Sequence, residues 1–511
     1  MADRPEIPRS VKPRRPARDP LPLLIVTPDS ILDDETGELL PREQLPELLL
    51  VRDSAIIVCG NAESLLADLH RRFKDHPLWQ FRLTPITRER WNPEPGAPIE
   101  TQEDLIISFF GFKRPHGRSR SRYFYPLAPE QFARKNVREL VGDPDLPYPE
   151  ALRQWGRSVR SFCADLELNP SPTQGGIAAQ LLRHPRFYPE ARRKVPQATN
   201  ERARPRLPGN WYELRAEPGR TYSAAWYLDQ KSAHHYAAAT IDLPHPDRLR
   251  AHGHYEEPES CRPWLRAGSR GMAAVLSTFG LVRARLTVPS HVAHAPFPPP
   301  ALSRPGDVDA WLYTNEIPGI IERGARIDWL SAAWTSTIPD PGIRRYATWS
   351  QGEIARRPEA RWLKGTLLAS YGILAARPRR HHFAYWQATS GERERIRIAA
   401  DMVECWSKRT EREQQTPIAN VIQRGMIEAE TRRLSIDLAG QLERAGHEVF
   451  AIYADAVLVR ARDGASPAQA LPLLPEPWRI KEDLSWIRFH DPQSFEAREL
   501  SRLPGRPRGT M

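Results

Sequence analysis

The run Trp226-Tyr227-Leu228-Asp229-Gln230-Lys231-Ser232-Ala233-His234-His235-Tyr236 decides how this chain folds. Its approach, Ala224–Leu228, is apolar and aromatic, the composition of a buried strand. Asp229 closes that strand, and Ser232 opens a stretch with helical character three residues later. A carboxylate at a sheet edge holds a divalent cation well, because Mg²⁺ prefers oxygen ligands and keeps waters and phosphates in its shell. The carbonyl of Gln230 is a further candidate ligand, and a helix starting at Ser232 would aim backbone N–H groups at a phosphate. An aspartate that ends a strand ahead of a helix cap is the plainer explanation, and the segment alone supports both.

Two later stretches bear on that choice. Lys364-Gly365-Thr366-Leu367-Leu368-Ala369-Ser370-Tyr371-Gly372 lies in a helix predicted over Pro358–Leu374. Arg357, Arg361 and Lys364 fall at helical spacing and share a face that can neutralise triphosphate charge. Two turns on, an aromatic ring at Tyr371 beside a bare backbone at Gly372 permits stacking on a base pair. The alternative is a solvated basic face with Tyr371 in the core. In Ile452-Tyr453-Ala454-Asp455-Ala456-Val457, an acid occupies a tight turn between predicted strands Val449–Tyr453 and Ala456–Val459. Among apolar strands a carboxylate is costly unless it is solvated or bound to a cation; an exposed turn aspartate is the alternative. An acid, a basic helix and a second acid are together what a two-metal nucleotidyl transferase requires.

These stretches resemble, in order, the three polymerase motifs of family B DNA polymerases. Asp229-Gln230-Lys231-Ser232 is similar to Asp-x-x-Ser-Leu-Tyr-Pro, Lys364 to Gly372 is similar to Lys-x-x-x-Asn-Ser-x-Tyr-Gly, and Tyr453-Ala454-Asp455 is similar to Tyr-x-Asp-Thr-Asp. The resemblance covers residues 205–510, and the long segment between the first two motifs resembles the protein-primed branch of phages and linear plasmids. It implies an α+β, multi-domain chain: a right-hand polymerase of palm, fingers and thumb, with an N-terminal exonuclease-like α/β domain. Asp229 and Asp455 would be catalytic and would hold two Mg²⁺ ions, with Mn²⁺ as a substitute. Ser232, His234, Arg361, Lys364, Tyr371 and Gly372 would bind the nucleotide, and Tyr453 and Lys481 the DNA. The implied partners are a DNA primer-template, deoxynucleoside triphosphates and, in the protein-primed branch, a terminal protein.

The departures are specific. His234 stands where the family has the Tyr that packs beneath the sugar, and Leu368 and Ala369 replace an Asn-Ser pair. Val457 replaces the second Asp of the third motif, which shares the metals in the family. Asp483 occupies the aromatic position after Lys481. For proofreading, Asp33-Asp34-Glu35-Thr36 offers only a superficial Asp-x-Glu, with turn residues around it, and Leu152 stands four residues after Tyr148 where an acid is expected. An exonuclease-like scaffold without reliable nuclease activity is expected. A catalytically degenerate, DNA-binding or priming-partner protein is the alternative to the polymerase. A reverse transcriptase-like enzyme is a third, from Tyr453-Ala454-Asp455, but Ala456 lacks its next acid and the Lys364–Gly372 helix argues against it.

The bulk composition is compatible with these readings. Net charge is +11 over 511 residues, which suits a polyanionic partner and also suits drift in an Arg-, Pro- and Ala-rich sequence. Hydrophobic residues make up 40%, enough for several cores, and no apolar run reaches membrane-spanning length. Cys59, Cys163, Cys261 and Cys405 are far apart, which excludes a zinc ribbon or disulfide framework and suits a reducing cytoplasm, that of a bacterial host if a phage encodes the chain. The expected divisions are a disordered basic tail at 1–20, the exonuclease-like region at 21–168 and a basic, Pro-rich connector at 169–210. Palm with insertion follows at 211–340, fingers at 341–405, palm again at 406–465 and a thumb-like region at 466–511. In the first region strands are expected at Leu23–Val26, Leu48–Val51, Ala55–Val58, Leu105–Phe110 and Tyr123–Tyr125, and helices at Ala62–Phe73 and Trp155–Leu166. A helix over Gly425–Ala445 leads into the third motif.

Overall fold

The computed structural model describes residues 21–73, 75–76, 78–90, 100–112, 122–189, 195–207, 212–251, 265–266, 268–289, 306–376, 379–385, 393–398, 403–414, 418–453, 455–460, 474–491 and 494–499. The basic tail at 1–20 therefore lies outside the described residues, as do Arg192, Arg193 and Lys194 of the expected connector.

The first region folds around a seven-stranded sheet. Three parallel strands, Leu23–Val26, Ala55–Cys59 and Arg122–Leu127, form its centre. The inner strands are continuous apolar runs because both faces are covered. Leu24, Val26, Ile57 and Cys59 pack against helix Ala62–Phe73. Leu23, Ile25, Ile56 and Val58 face the other way, toward helix Tyr148–Asp165. The expected strand Leu48–Val51 is instead helical, within Leu45–Val51. Pro46 suits a first helical turn, and the two buried residues, Leu45 and Leu49, are one turn apart.

The acids of this region hold arginines. Asp33 is buried at the end of strand Ser30–Asp33, not in the expected surface turn, and pairs with Arg52. Asp34 accepts from Arg153 at 2.9 Å and from Arg157 at 2.8 Å. Burial pushes both carboxyls up, and the guanidiniums outweigh it, leaving both below the usual aspartate range.

The expected connector is part of the core. Helices Gln174–Leu181 and Gln197–Ala203 bury Ile177, Ala178, Leu181 and Ala203, and Phe187 between them is buried as well. Proline breaks long helices here without preventing short ones from packing. Arg204 donates to the carbonyls of Ala375 and of Ala376 (3.1 Å), which satisfies the end of helix Arg361–Leu374.

Asp229 lies in a six-stranded antiparallel sheet, ordered Ser494–Glu499, Trp478–Asp491, Thr221–Gln230, Ala456–Arg460, Glu448–Tyr453, Tyr212–Leu214. One face packs on helix Val421–Arg444: Trp226, Leu228, Ile452, Val457 and Val459 meet Leu438, Ala439 and Leu442. Ala225, Ala456, Leu458 and Leu484 face the opposite way. The region expected to be thumb-like, 466–511, thus contributes two strands to the sheet of Asp229. Trp478 and Ile480 alternate toward the helix face, so edge pairing buries them and satisfies their backbone groups together.

Within 211–340, Phe279–Val288, Gly306–Tyr313 and Arg326–Ser336 form one five-stranded sheet with the short strands Arg250–Ala251 and Leu265–Arg266. The division at residue 405 falls inside strand Val403–Gln414 of a three-stranded sheet with Arg379–Tyr385 and Arg393–Ile398.

Candidate active site

Strand alternation sorts the motif residues between the two faces of the central sheet. Gln230 turns toward helix Val421–Arg444, where its amide donates to the Thr431 carbonyl at 2.8 Å and to the Ser435 hydroxyl at 2.9 Å. Asp229, one residue earlier, therefore points to the other face. Its antiparallel partner on the next strand is Ala456, and the carbonyl of Asp455 accepts from the Gln230 N–H at 2.9 Å. The two acids, far apart in sequence, are thereby neighbours at one corner of the sheet. Val457 is fully buried on the helix face, beside Leu228 and Ile452. The position where the third motif lacks its second acid is thus directed away from Asp229, and Asp455 in the turn is the carboxylate beside it.

Charge coupling marks the rest of the cluster. Burial raises the Asp455 carboxyl, the neighbouring Asp229 charge raises it further, and Lys481 and Lys364 oppose them. Burial lowers Lys364, as does the Arg479 charge, while Asp229 and Asp455 pull it the other way. Lys481 sits over the Tyr227 ring, 4.4 Å from its centroid. Arg479 is the cross-strand partner of Asp229 and donates to its Oδ2 from Nη2 at 2.8 Å and from Nε at 3.3 Å. Three cations therefore surround two carboxylates. Sequence reasoning found Lys481 and passed over Arg479, although two basic residues spaced by two on a strand were a visible signal.

Helix Arg361–Leu374 brings Lys364 to this corner. It is anchored from the first region: Trp362 is buried against Phe162 (5.5 Å between centroids) and its indole N–H donates to the Ser158 hydroxyl at 3.1 Å. Lys364, Leu368 and Gly372 recur every fourth residue on a face left accessible to solvent. A Cβ placed on Gly372 would meet no atom within 4 Å. Arg361 lies elsewhere: a Cβ on Gly142, in the first region, would come within 3.3 Å of its Nε. It therefore does not join Lys364 on the open stripe of the helix.

Both aromatic candidates lie in the core. Tyr371 is fully buried, edge-on to His235 at 5.0 Å and against Tyr346 at 6.3 Å, so its ring is not open to a base. Tyr453 is largely buried in the apolar cluster of Phe450 and Leu458. The half-buried His234 covers Tyr371 in a stacked arrangement at 5.9 Å. Burial and then the Arg424 charge push its imidazole down to about 3, so it is neutral at physiological pH. His235 is fully buried, also at about 3, and neither ring nitrogen has a hydrogen-bond partner among the described residues. Ser232 begins helix Ala233–Thr240 from a left-handed backbone, φ 54°, and makes no side-chain cap bond. A non-glycine residue there costs about 1 kcal/mol or more, a strain found often where a chain is held for function.

The donor set suits a hard divalent cation. Two adjacent carboxylates, one raised partly by the other's charge, repel each other in a way that such an ion would relieve, and oxygen donors are what Mg²⁺ takes. No group of three or more His, Cys, Asp or Glu side chains arranged for a metal occurs among the described residues, so waters and phosphates would have to complete the shell.

No family model matches the chain. No curated protein matches it either. Solved structures do. Phi29 DNA polymerase complexed with primer-template DNA in a post-translocation binary complex superposes with a TM-score of 0.57 at 10% identity, covering 92% of this chain and 86% of that one. The ternary complex of the same polymerase with primer-template DNA and incoming nucleotides gives 0.56 at 10% identity, over 90% and 82%. Its complex with single-stranded DNA gives 0.55 at 11% identity, over 91% and 83%. The likeness spans nearly the whole chain, and this chain has the fold of a DNA polymerase.

Proposed function

We propose that the chain is a template-directed DNA polymerase of family B type that adds deoxynucleotides to a primer 3′-hydroxyl, in the replication of a phage or related mobile element. The observation that carries this reading is the juxtaposition of Asp229, near the end of its strand, with Asp455, in the turn that opens the neighbouring strand, both within electrostatic reach of Lys364 on the anchored helix. Asp229 and Asp455 would hold magnesium, which supplies activation of the attacking hydroxyl and charge stabilisation at the transferred phosphoryl group. Lys364 and Lys481 neutralise phosphate charge. The bare backbone at Gly372, beside half-buried Leu368, offers the nascent base pair a flat surface, and neutral His234 supports the sugar from below. The partners are primer-template DNA and deoxynucleoside triphosphates, with a terminal protein a candidate for the sheet built from 250–336. No helix among the described residues is long and apolar enough to cross a membrane.

The test is primer extension. Purified protein with a primed DNA template, deoxynucleotides and Mg²⁺ or Mn²⁺ is expected to lengthen the primer, and chelation is expected to stop it. The Arg479–Asp229 ion pair favours a second reading, a degenerate polymerase that binds DNA without extending it. That reading predicts salt-sensitive DNA binding with no product under any metal.

Gly372 supplies an independent check on where the base pair lies. Alanine is the better helix former, and the site is open, so Gly372→Ala is expected to stabilise the fold by about 0.5–1 kcal/mol in thermal unfolding. If a base pair rests on that backbone, the added methyl lowers kcat/KM for nucleotide by about tenfold, roughly 1.4 kcal/mol. A variant both more stable and fully active would move the base pair off this face.

A further inference from the structure

Arg479 is placed where the proposed metal should bind. It is not merely near the cluster: it is the direct cross-strand neighbour of Asp229 and spends two N–H groups on one oxygen, Oδ2. The pair is only partly shielded, with side-chain exposures of 37% for Arg479 and 16% for Asp229, so the contact is weak and exchangeable. The same guanidinium depresses Lys364, which shows that its charge reaches the phosphate-facing side of the site. A bare dication approaching Asp229 meets three cationic side chains and a carboxylate already in use. A nucleoside triphosphate meets the reverse: an excess of positive charge with arginine geometry suited to a forked contact on phosphate.

We propose that Arg479 is an exchangeable counter-ion that keeps free metal off Asp229 and transfers to the triphosphate, so that the divalent ion is admitted together with nucleotide and not ahead of it. This rests on the metal role given above to Asp229. Arg479 is then a positioning residue that sets the order of loading, and its removal opens the empty site to metal.

The experiment titrates Mn²⁺ into full-length, nucleotide-free protein and follows loss of the free-ion electron paramagnetic resonance signal. Arg479→Gln is expected to bind Mn²⁺ at least about tenfold more tightly than wild type, and Arg479→Lys to fall between them. The gain should vanish in the double variant Arg479→Gln/Asp229→Asn. A fluorescent deoxynucleoside triphosphate, added without metal, should bind Arg479→Gln about tenfold more weakly than wild type. Equal Mn²⁺ affinity in wild type and Arg479→Gln, lost in Asp229→Asn, overturns the counter-ion role while leaving the metal site standing. Failure of every variant to bind Mn²⁺, with or without nucleotide, removes the metal site and this inference with it. Circular dichroism of each variant excludes misfolding as the cause.

Discussion

Asp229→Ala is expected to reduce primer extension on the order of a thousandfold, about 4 kcal/mol of transition-state stabilisation, while leaving DNA binding nearly intact. The carboxylate is one of two that the sheet presents at this corner, and among the described residues no third acid joins them to take over its role. Its loss also frees Arg479, adding a cation to a site already rich in them. Primer-template affinity should therefore hold or rise slightly, and the defect should fall on the chemical step. Pre-steady-state extension separates the two: a normal binding constant with a collapsed single-turnover rate fits the assignment. Wild-type rates in the alanine variant would mean that Asp229 is only the ion-pair partner of Arg479. Stability should change by less than about 1 kcal/mol, because the pair is partly exposed.

Much of the scaffold behind that expectation was legible in the sequence, for a physical reason. Leu23–Val26 and Ala62–Phe73 were read to the residue, because an uninterrupted apolar run and a 3.6-residue stripe each have one way to be buried. The two strands around Asp455 were equally plain. Leu48–Val51 was misread because four apolar residues suit a strand or a helix, and Pro46 together with Leu45 and Leu49 decides for the helix. The segment at 169–210 was misread because proline and arginine dominate its composition, while the few residues that place it, Ile177, Leu181 and Phe187, are sparse.

The site was legible in part. Asp229, Asp455 and Lys364 each stand out in the sequence against a background: an acid after an apolar strand, an acid in an apolar turn, a base on a helix; Lys481 comes from the resemblance alone. Tyr371 shows the limit. Whether an aromatic residue lies on the open or the closed side of a helix depends on what packs against that helix, here His235 and Tyr346 from other elements. Arg479 shows another. Its meaning comes from cross-strand register with a residue in a distant part of the chain, and sequence periodicity carries no register between strands.

Asp455→Asn is expected to stop extension and, in metal-free buffer at neutral pH, to make the protein more stable. Burial and the Asp229 charge raise this carboxyl in the folded chain above its unfolded value. A group so shifted contributes stability that is fully present below its unfolded pKa, near 4, and is lost as pH rises through the folded pKa. At pH 7 the ionised side chain therefore weakens the fold. Asparagine keeps the shape and an accepting oxygen without the charge, and should raise stability by about 1 kcal/mol at pH 7, an advantage that disappears below about pH 4. Divalent metal with nucleotide should invert the order, since a ligand at a hundred times its Kd stabilises the wild type by about 2.7 kcal/mol and the variant has lost its share of the donors. Denaturant titrations at two pH values, with and without Mg²⁺ and nucleotide, read all of these differences. A less stable asparagine variant at pH 7 would show instead that the charge on Asp455 is already neutralised in the free protein by Lys364 and Lys481, and that the corner beside Asp229 is balanced without metal.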